Sequence, residues 1–278
     1  LEGVQPFFIV SPGRTGSTLL RKLLMAGNEV HIPPESDDFM PKTIIEHLST
    51  RKNSWLIQTD HLVKRYTNSQ LRNYWEVASE ELKEHLLLTP IHQQNLYTKI
   101  WSLHAMHKAK FNESALVLGD KTPLNSESPF WLNKVSPNSK FIFLLRNVFD
   151  TVASRKTAFD ESIPSAFKRY ENTWKAMSKF KRQHGELVRQ VFYEDLVNSP
   201  SETMQSICDF LGLTYSDKML SADELPHGDG DLAHHAELYK RINTSAIGKG
   251  ALSLNEQEIL QITKWSKKIG LPSQLYKH

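Results

Sequence analysis

The chain is 278 residues long, 39% apolar and 23% charged, with a formal net charge of +3. It is long enough to bury a sizeable core, and its mild positive balance suits an anionic ligand without the strong basic bias of a nucleic-acid binder. Its single cysteine, Cys208, excludes an internal disulfide and a cysteine-based zinc site, and no run reaches the length of a membrane span.

Phe7 to Val10 is an apolar run of strand length, Ser11 to Gly16 a turn rich in proline, glycine and hydroxyl residues, and Gly16 to Ala26 has helix-forming composition. Strand, tight loop and helix is the layout of a phosphate site, because the loop and the helix N-terminus aim backbone N–H groups at an anion. Gly13 and Gly16 permit close backbone approach, Thr15, Ser17 and Thr18 add hydroxyls, and Arg14 adds a planar cation. Taken alone, the segment also fits an ordinary strand-to-helix turn, and it lacks the GK[ST] of a Walker A loop. A short strand is expected at Glu29 to Ile32, ended by Pro33 and Pro34, with the polar cluster Glu35-Ser36-Asp37-Asp38 just beyond it. Ligands of open α/β sheets bind at such strand ends.

Residues 37–112 read as mostly helical, with helical spacing over Leu71 to Leu88 and again over Leu96 to Phe111. Trp55, Tyr66, Tyr74, Trp75, Tyr97 and Trp101 pack these helices or, in part, line an acceptor pocket. His104 and His107 lie three apart without a third ligand, so they read as surface or core histidines, and no metal site is expected. The next strand is Ala115 to Leu118, leading into Gly119-Asp120-Lys121-Thr122-Pro123. A helix is expected over Ser126 to Val135, a buried strand over Ser139 to Leu145 with Arg146 at its end, and helices over Asp150 to Phe159 and Ser165 to His184. Leu187 to Phe192 is a strand that delivers Tyr193, Pro200 to Leu211 an amphipathic helix, Ser221 to Lys249 irregular, and Leu254 to Ile269 a closing helix. This alternation predicts an α/β fold with a mainly parallel sheet flanked by helices, a single domain over 1–278 with 37–112 as a helical insert.

Arg14, Lys121, Arg146 and Tyr193 each follow a predicted strand, so a parallel sheet places all of them along one edge. Such a set fits a ligand with at least two separate anionic groups. Arg146 and Ser154, eight residues apart, are placed to meet one phosphate.

In these motifs the chain resembles the sulfotransferases that use 3′-phosphoadenosine 5′-phosphosulfate (PAPS). Ser11 to Thr18 resembles the family's 5′-phosphosulfate loop, and Leu145-Arg146 with Asp150 to Ser154 its 3′-phosphate motif. Tyr193-Glu194-Asp195-Leu196 resembles the segment whose tyrosine meets the adenine side. Gly119 to Pro123 resembles the loop with a basic residue near the sulfuryl group, and Ile247-Gly248-Lys249-Gly250 the late Gly/Lys loop over the 3′-phosphate. The resemblance implies a P-loop-like three-layer fold, PAPS as co-substrate, 3′-phosphoadenosine 5′-phosphate (PAP) as product, and no metal. It departs from the cytosolic small-molecule enzymes at two places. Arg14 stands where those carry lysine, as in tyrosylprotein and several bacterial types, and Thr122-Pro123 replaces their catalytic histidine. The implied base is therefore Glu35, at the position used by the tyrosylprotein type, with His234 or His235 as competitors.

Two rival readings are a P-loop nucleotide kinase, since Leu116 to Asp120 mimics a Walker B strand, and a non-catalytic PAP-binding module. Preference for PAP over ATP separates the kinase from the others. The acceptor is a small-molecule or carrier-tethered hydroxyl, and a β-hydroxyacyl chain on an acyl carrier domain, as in olefin-synthase-type modules, is one expectation. The abrupt start at Leu1 fits a module excised from a longer chain. A bacterial cytoplasm is the expected compartment, in line with the lone cysteine.

Overall fold

In the computed structural model, residues 6–36, 39–49, 54–221 and 242–277 are described. The strands are β1 (Phe7–Val10), β2 (Val30–His31), β3 (Val117–Asp120), β4 (Lys140–Leu145) and β5 (Val188–Phe192). They form one five-stranded sheet in the order β2-β3-β1-β4-β5, and every pairing is parallel. The helices, in chain order, are α1 (Ser17–Met25), α2 (Phe39–Ser49), α3 (Trp55–Asn68), α4 (Arg72–Trp75), α5 (Ser79–Leu87), α6 (Leu96–Phe111) and α7 (Pro129–Val135). There follow α8 (Val148–Phe159), α9 (Ile163–Gln183), α10 (Tyr193–Asn198), α11 (Pro200–Leu211), α12 (Lys249–Ser253) and α13 (Glu256–Lys268).

Period-two geometry sorts the strand residues into two cores. Phe7, Ile9, Ile142 and Leu144 face one way and pack with Leu20, Leu23 and Leu24 of α1 and Met204, Ile207 and Cys208 of α11. Phe8, Val10, Phe141, Phe143 and Leu145 face the other way, among Ile100 and Trp101 of α6, Val152 of α8 and Met177 and Phe180 of α9. Both faces of the central strands are apolar because helices cover both, the expected state of a parallel sheet. Full burial of each such side chain is worth roughly 1.5–3 kcal/mol, so the two cores hold the middle layer in place. The expected α/β class and three layers are therefore what the structure shows.

Some boundaries differ from the sequence reading. The run Leu71 to Leu88 is two helices, because Glu76 adopts a left-handed conformation (φ 48°) and ends α4. The third strand sits two residues later than expected, with Leu116 exposed and Gly119 and Asp120 inside the ladder opposite Phe7 and Phe8. Gly119 is required there, since a Cβ would lie 2.7 Å from the Phe7 ring. The expected helix over Ser126 to Val135 begins as a 3-10 turn at Pro123–Glu127, while the last strand ends at Phe192 as expected and Tyr193 directly after it starts α10.

Candidate active site

The C-terminal ends of β1, β3, β4 and β5 deliver Arg14, Lys121, Arg146 and Tyr193 to one edge of the sheet. Between β1 and α1 the chain turns through three left-handed residues, Gly13 (φ 78°), Arg14 (φ 60°) and Gly16 (φ 85°). Arg14 is strained in this conformation, which side chains with a Cβ seldom adopt. The Ser11 hydroxyl accepts from Gly13 N–H at 3.3 Å, and Leu20 N–H donates to the Gly16 carbonyl at 3.0 Å to start the helix. No side chain caps α1, and its first turn holds no acidic residue. Its leading N–H groups thus face the loop with the positive end of the helix dipole behind them.

Gly16, Tyr193 and Arg146 form a layered stack. A Cβ on Gly16 would lie 2.5 Å from the Tyr193 ring, and the Arg146 guanidinium lies 4.6 Å from that ring's centroid. Arg146 also donates to the Arg14 carbonyl at 3.3 Å and to the Ala246 carbonyl, and it lies 3.6 Å from the Asp150 carboxylate. Asp150 accepts in turn from Gly248 N–H at 2.9 Å and Gly250 N–H at 2.6 Å, which ties the late glycine loop to α8. Gly250 has no room for a Cβ against the Asp150 backbone. The Lys249 side chain is exposed. Ser154 does not pair with Arg146; its hydroxyl accepts from Arg14 Nε at 3.1 Å. Burial, with the nearby charges of Arg146 and Arg155, pushes the Arg14 guanidinium below its usual pKa. Three guanidiniums held this close favour an anionic ligand among them.

On the other side of the loop, the buried Lys121 Nζ pairs with the Glu35 carboxylate and lies 3.4 Å from the Thr18 hydroxyl. Glu35 follows β2, so the edge residue expected as a base and the cation expected at the sulfuryl group meet beside the loop. Glu35 is about one-third exposed, so solvent or an acceptor reaches it. His234 and His235 lie outside the described residues. Beneath the pair runs a buried polar chain. Asp120 accepts from Asn125 Nδ2 at 2.5 Å and Thr122 Oγ1 at 3.3 Å, and meets His104 Nε2 at 3.1 Å. His107 is hydrogen-bonded to His31 at 2.7 Å, so both expected surface-or-core histidines are core ones. Burial, then Arg21, His104 and Lys108, lower the His31 pKa to about 3. Among the described residues no group of three or more histidine, cysteine or acidic side chains is arranged to hold a metal.

A sequence model described as "Sulfotransferase family" matches residues 6–217, well over half of the chain. The chain belongs to the sulfotransferase family. It is 26% identical over 256 residues to protein-tyrosine sulfotransferase 2 of Gallus gallus, covering 87% of this chain and 62% of that protein. It is 23% identical to protein-tyrosine sulfotransferase A of Caenorhabditis elegans, covering 91% and 63%. The chain thus spans somewhat over three-fifths of the length of these curated relatives. In fold it is similar to a sulfotransferase domain from the curacin biosynthetic pathway, at TM-score 0.64, 22% identity and 97% and 98% coverage of the two chains. A sulfotransferase domain from the Synechococcus PCC 7002 olefin synthase gives TM-score 0.64, 19% identity and coverage of 95% and 96%. The curated relatives are animal proteins, so they lend nothing to the expected bacterial source. Among the described residues no helix is long and apolar enough to cross a membrane.

The family's donor fits the residues present. Thr15 Oγ1 and Arg146 Nε are buried at the loop without a hydrogen-bond partner among the described residues, and the free N-terminus of α1 faces the same loop. Sequence reasoning missed Arg155, and it placed Asp150 in the 3′-phosphate motif without its link to the late glycine loop. Arg155 Nη1 lies where a Cβ on Gly13 would come within 2.9 Å, and donates to the Pro12 carbonyl at 3.4 Å. Its adjacency to Ser154 was the available signal. Burial raises the Glu161 carboxyl, but hydrogen bonds from Ser165, Arg155 and Arg169 outweigh it and hold the group below its usual range.

Proposed function

We propose that this chain transfers the sulfuryl group of PAPS to an acceptor hydroxyl. The meeting of Lys121 with both Glu35 and Thr18 supports this reading most strongly, because it joins a base, a cation and the phosphate loop at one point. Arg14, Thr15, Ser17, Thr18 and the amides of Gly13 and Gly16 hold the 5′-phosphosulfate. Arg146, with Ser154 acting through Arg14, holds the 3′-phosphate side, Tyr193 the adenine side, and Lys249 and Gly250 close over it. In the reaction the acceptor oxygen bonds to sulfur, the bond from sulfur to the 5′-phosphate oxygen breaks, and its electron pair leaves with PAP. Arg14 and the loop N–H groups neutralise that departing charge, Lys121 holds the sulfuryl oxygens, and Glu35 takes the acceptor proton. Fixed donors and cations aimed at developing charge are usually the largest catalytic contribution, and a well-placed base adds typically ~10²–10⁴-fold.

The acceptor enters from the side of α2–α6, the segment read as an insert within a single domain. A β-hydroxyacyl chain tethered to an acyl carrier domain is the favoured acceptor. It rests on a fold likeness that covers nearly the whole length of the curacin and olefin synthase domains. A tyrosine hydroxyl on a protein is the second reading, favoured by the names of the curated relatives. The test is labelled PAPS with two probes, a β-hydroxyacyl pantetheine thioester and an acidic tyrosine peptide. Label on the thioester supports the first acceptor and label on the peptide the second. PAP binding with no label on either probe and no PAP release would leave a binding module, and ATP binding in preference to PAP would revive the kinase reading.

A further inference from the structure

The Glu35–Ser36 peptide has no place in the sheet, yet both of its polar atoms are held by buried side chains. The Trp75 indole N–H, at the end of α4, donates to the Glu35 carbonyl at 3.1 Å. The Thr122 hydroxyl, beyond β3, accepts from the Ser36 N–H at 2.9 Å. Trp75 and Ser36 are fully buried and Thr122 nearly so. We propose that Trp75 and Thr122 are positioning residues that fix the Glu35 peptide plane, and that Asp120 sets the direction of the Thr122 hydroxyl.

The proton order follows from the groups present. A carboxylate only accepts, so in its contact with Asp120 Oδ2, 3.3 Å away, Thr122 is the donor, and we assign its O–H to that bond. That leaves the Thr122 oxygen free to accept from the Ser36 amide and from the Ser36 hydroxyl, which lies 2.9 Å away. Lys121 stands between Asp120 and Thr122 in the chain and pairs with the Glu35 side chain. One three-residue stretch therefore holds Glu35 twice, by its side chain through Lys121 and by its peptide through Thr122. Displacing a reacting group by about 1 Å can cost about a hundredfold in rate, so the pinned plane is a means of placing the base. This inference rests on Glu35 acting as the base.

The experiment uses the full chain and three readouts: hydrogen exchange of the wild-type Ser36 amide, PAP affinity by calorimetry, and PAP release from PAPS with the better acceptor probe or, failing both, water. The Ser36 amide is expected to exchange at least about a thousandfold more slowly than a free amide, since it is buried and, among the described residues, is hydrogen-bonded to Thr122. Thr122→Val keeps the shape and removes the hydroxyl. It should lower kcat about tenfold or more with PAP affinity unchanged, while Thr122→Ser restores kcat to within about twofold. An unprotected Ser36 amide overturns the proposal, as does normal kcat in Thr122→Val or an equal loss in Thr122→Ser. If Thr122→Val does not fold, Trp75→Phe, which keeps a ring and removes the N–H, takes its place with the same expected loss. A wild-type chain that does not bind PAP strikes the sulfuryl-transfer reading instead, and the Ser36 amide then still decides whether the peptide is pinned.

Discussion

The donor loop and the Glu35–Lys121 junction adjoin each other, yet they are held by different means. The loop is shaped first by its own backbone, with left-handed residues at Gly13, Arg14 and Gly16 and an uncapped helix behind it, and Arg146 and Arg155 add donors to its carbonyls. The junction is shaped by side chains from elsewhere, with Trp75 arriving from α4 and Asp120, Lys121 and Thr122 from the end of β3. Anion binding needs a concave set of N–H groups, which one local turn supplies. On the proposed mechanism, proton transfer needs one carboxylate in one place, and a network of buried hydrogen bonds holds Glu35 there.

The comparison predicts that changes at the junction act on turnover and changes at the loop act on donor affinity. Lys121→Ala should have the largest effect, a fall in kcat of about a thousandfold with PAP affinity almost unchanged, because PAP has no sulfuryl oxygens to hold. Loss of PAP affinity with normal turnover of bound PAPS would move Lys121 to the donor side. Gly16→Ala should follow, weakening PAP binding about a hundredfold by calorimetry, since a left-handed alanine is strained and its Cβ would meet Tyr193 at 2.5 Å. Arg146→Ala is expected to weaken PAP binding about tenfold or more and leave adenosine 5′-phosphosulfate binding nearly unchanged. Equal losses for both ligands would mean that Arg146 serves the Gly16–Tyr193 stack rather than the 3′-phosphate.

The last prediction concerns stability. His31 titrates at about 3 in the fold against 6.5 when unperturbed, so between those values the unfolded chain binds the extra proton. This contribution is fully present above about pH 6.5 and is lost as pH falls toward 3, at no more than about 1.4 kcal/mol per pH unit. Urea unfolding at pH 5.0 and 7.5 should show a shallower pH slope for His31→Gln than for wild type. Identical slopes would remove His31 from the acid response.

The same difference decides what was legible in the sequence. Ser11 to Thr18 pointed to the loop, because glycines, hydroxyls and an arginine between an apolar strand and a helix suit an anion, although the segment taken alone also fits an ordinary strand-to-helix turn. Lys121 was legible as a strand-end cation, and Glu35 was legible as a candidate base through resemblance. Their mutual contact was not, since it depends on β2 and β3 being neighbours although 86 residues separate the pair. Trp75 read as packing because indole rings usually pack, and nothing local marks the carbonyl its N–H meets. Arg146 and Ser154 read as one phosphate clamp from their spacing, whereas Arg14 reaches Ser154 from another strand end. The break at Glu76 left no trace in the helical periodicity of Leu71 to Leu88.

The central claim is that Glu35 is the proton acceptor of a sulfuryl transfer, and Glu35→Gln tests it most directly. Glutamine keeps the shape and removes the basicity. The expected result is PAP affinity and thermal midpoint close to wild type, with kcat lowered at least about a hundredfold. A Glu35→Gln enzyme with near-normal kcat, beside an inactive His234→Ala, would contradict the account and transfer the base to the histidine.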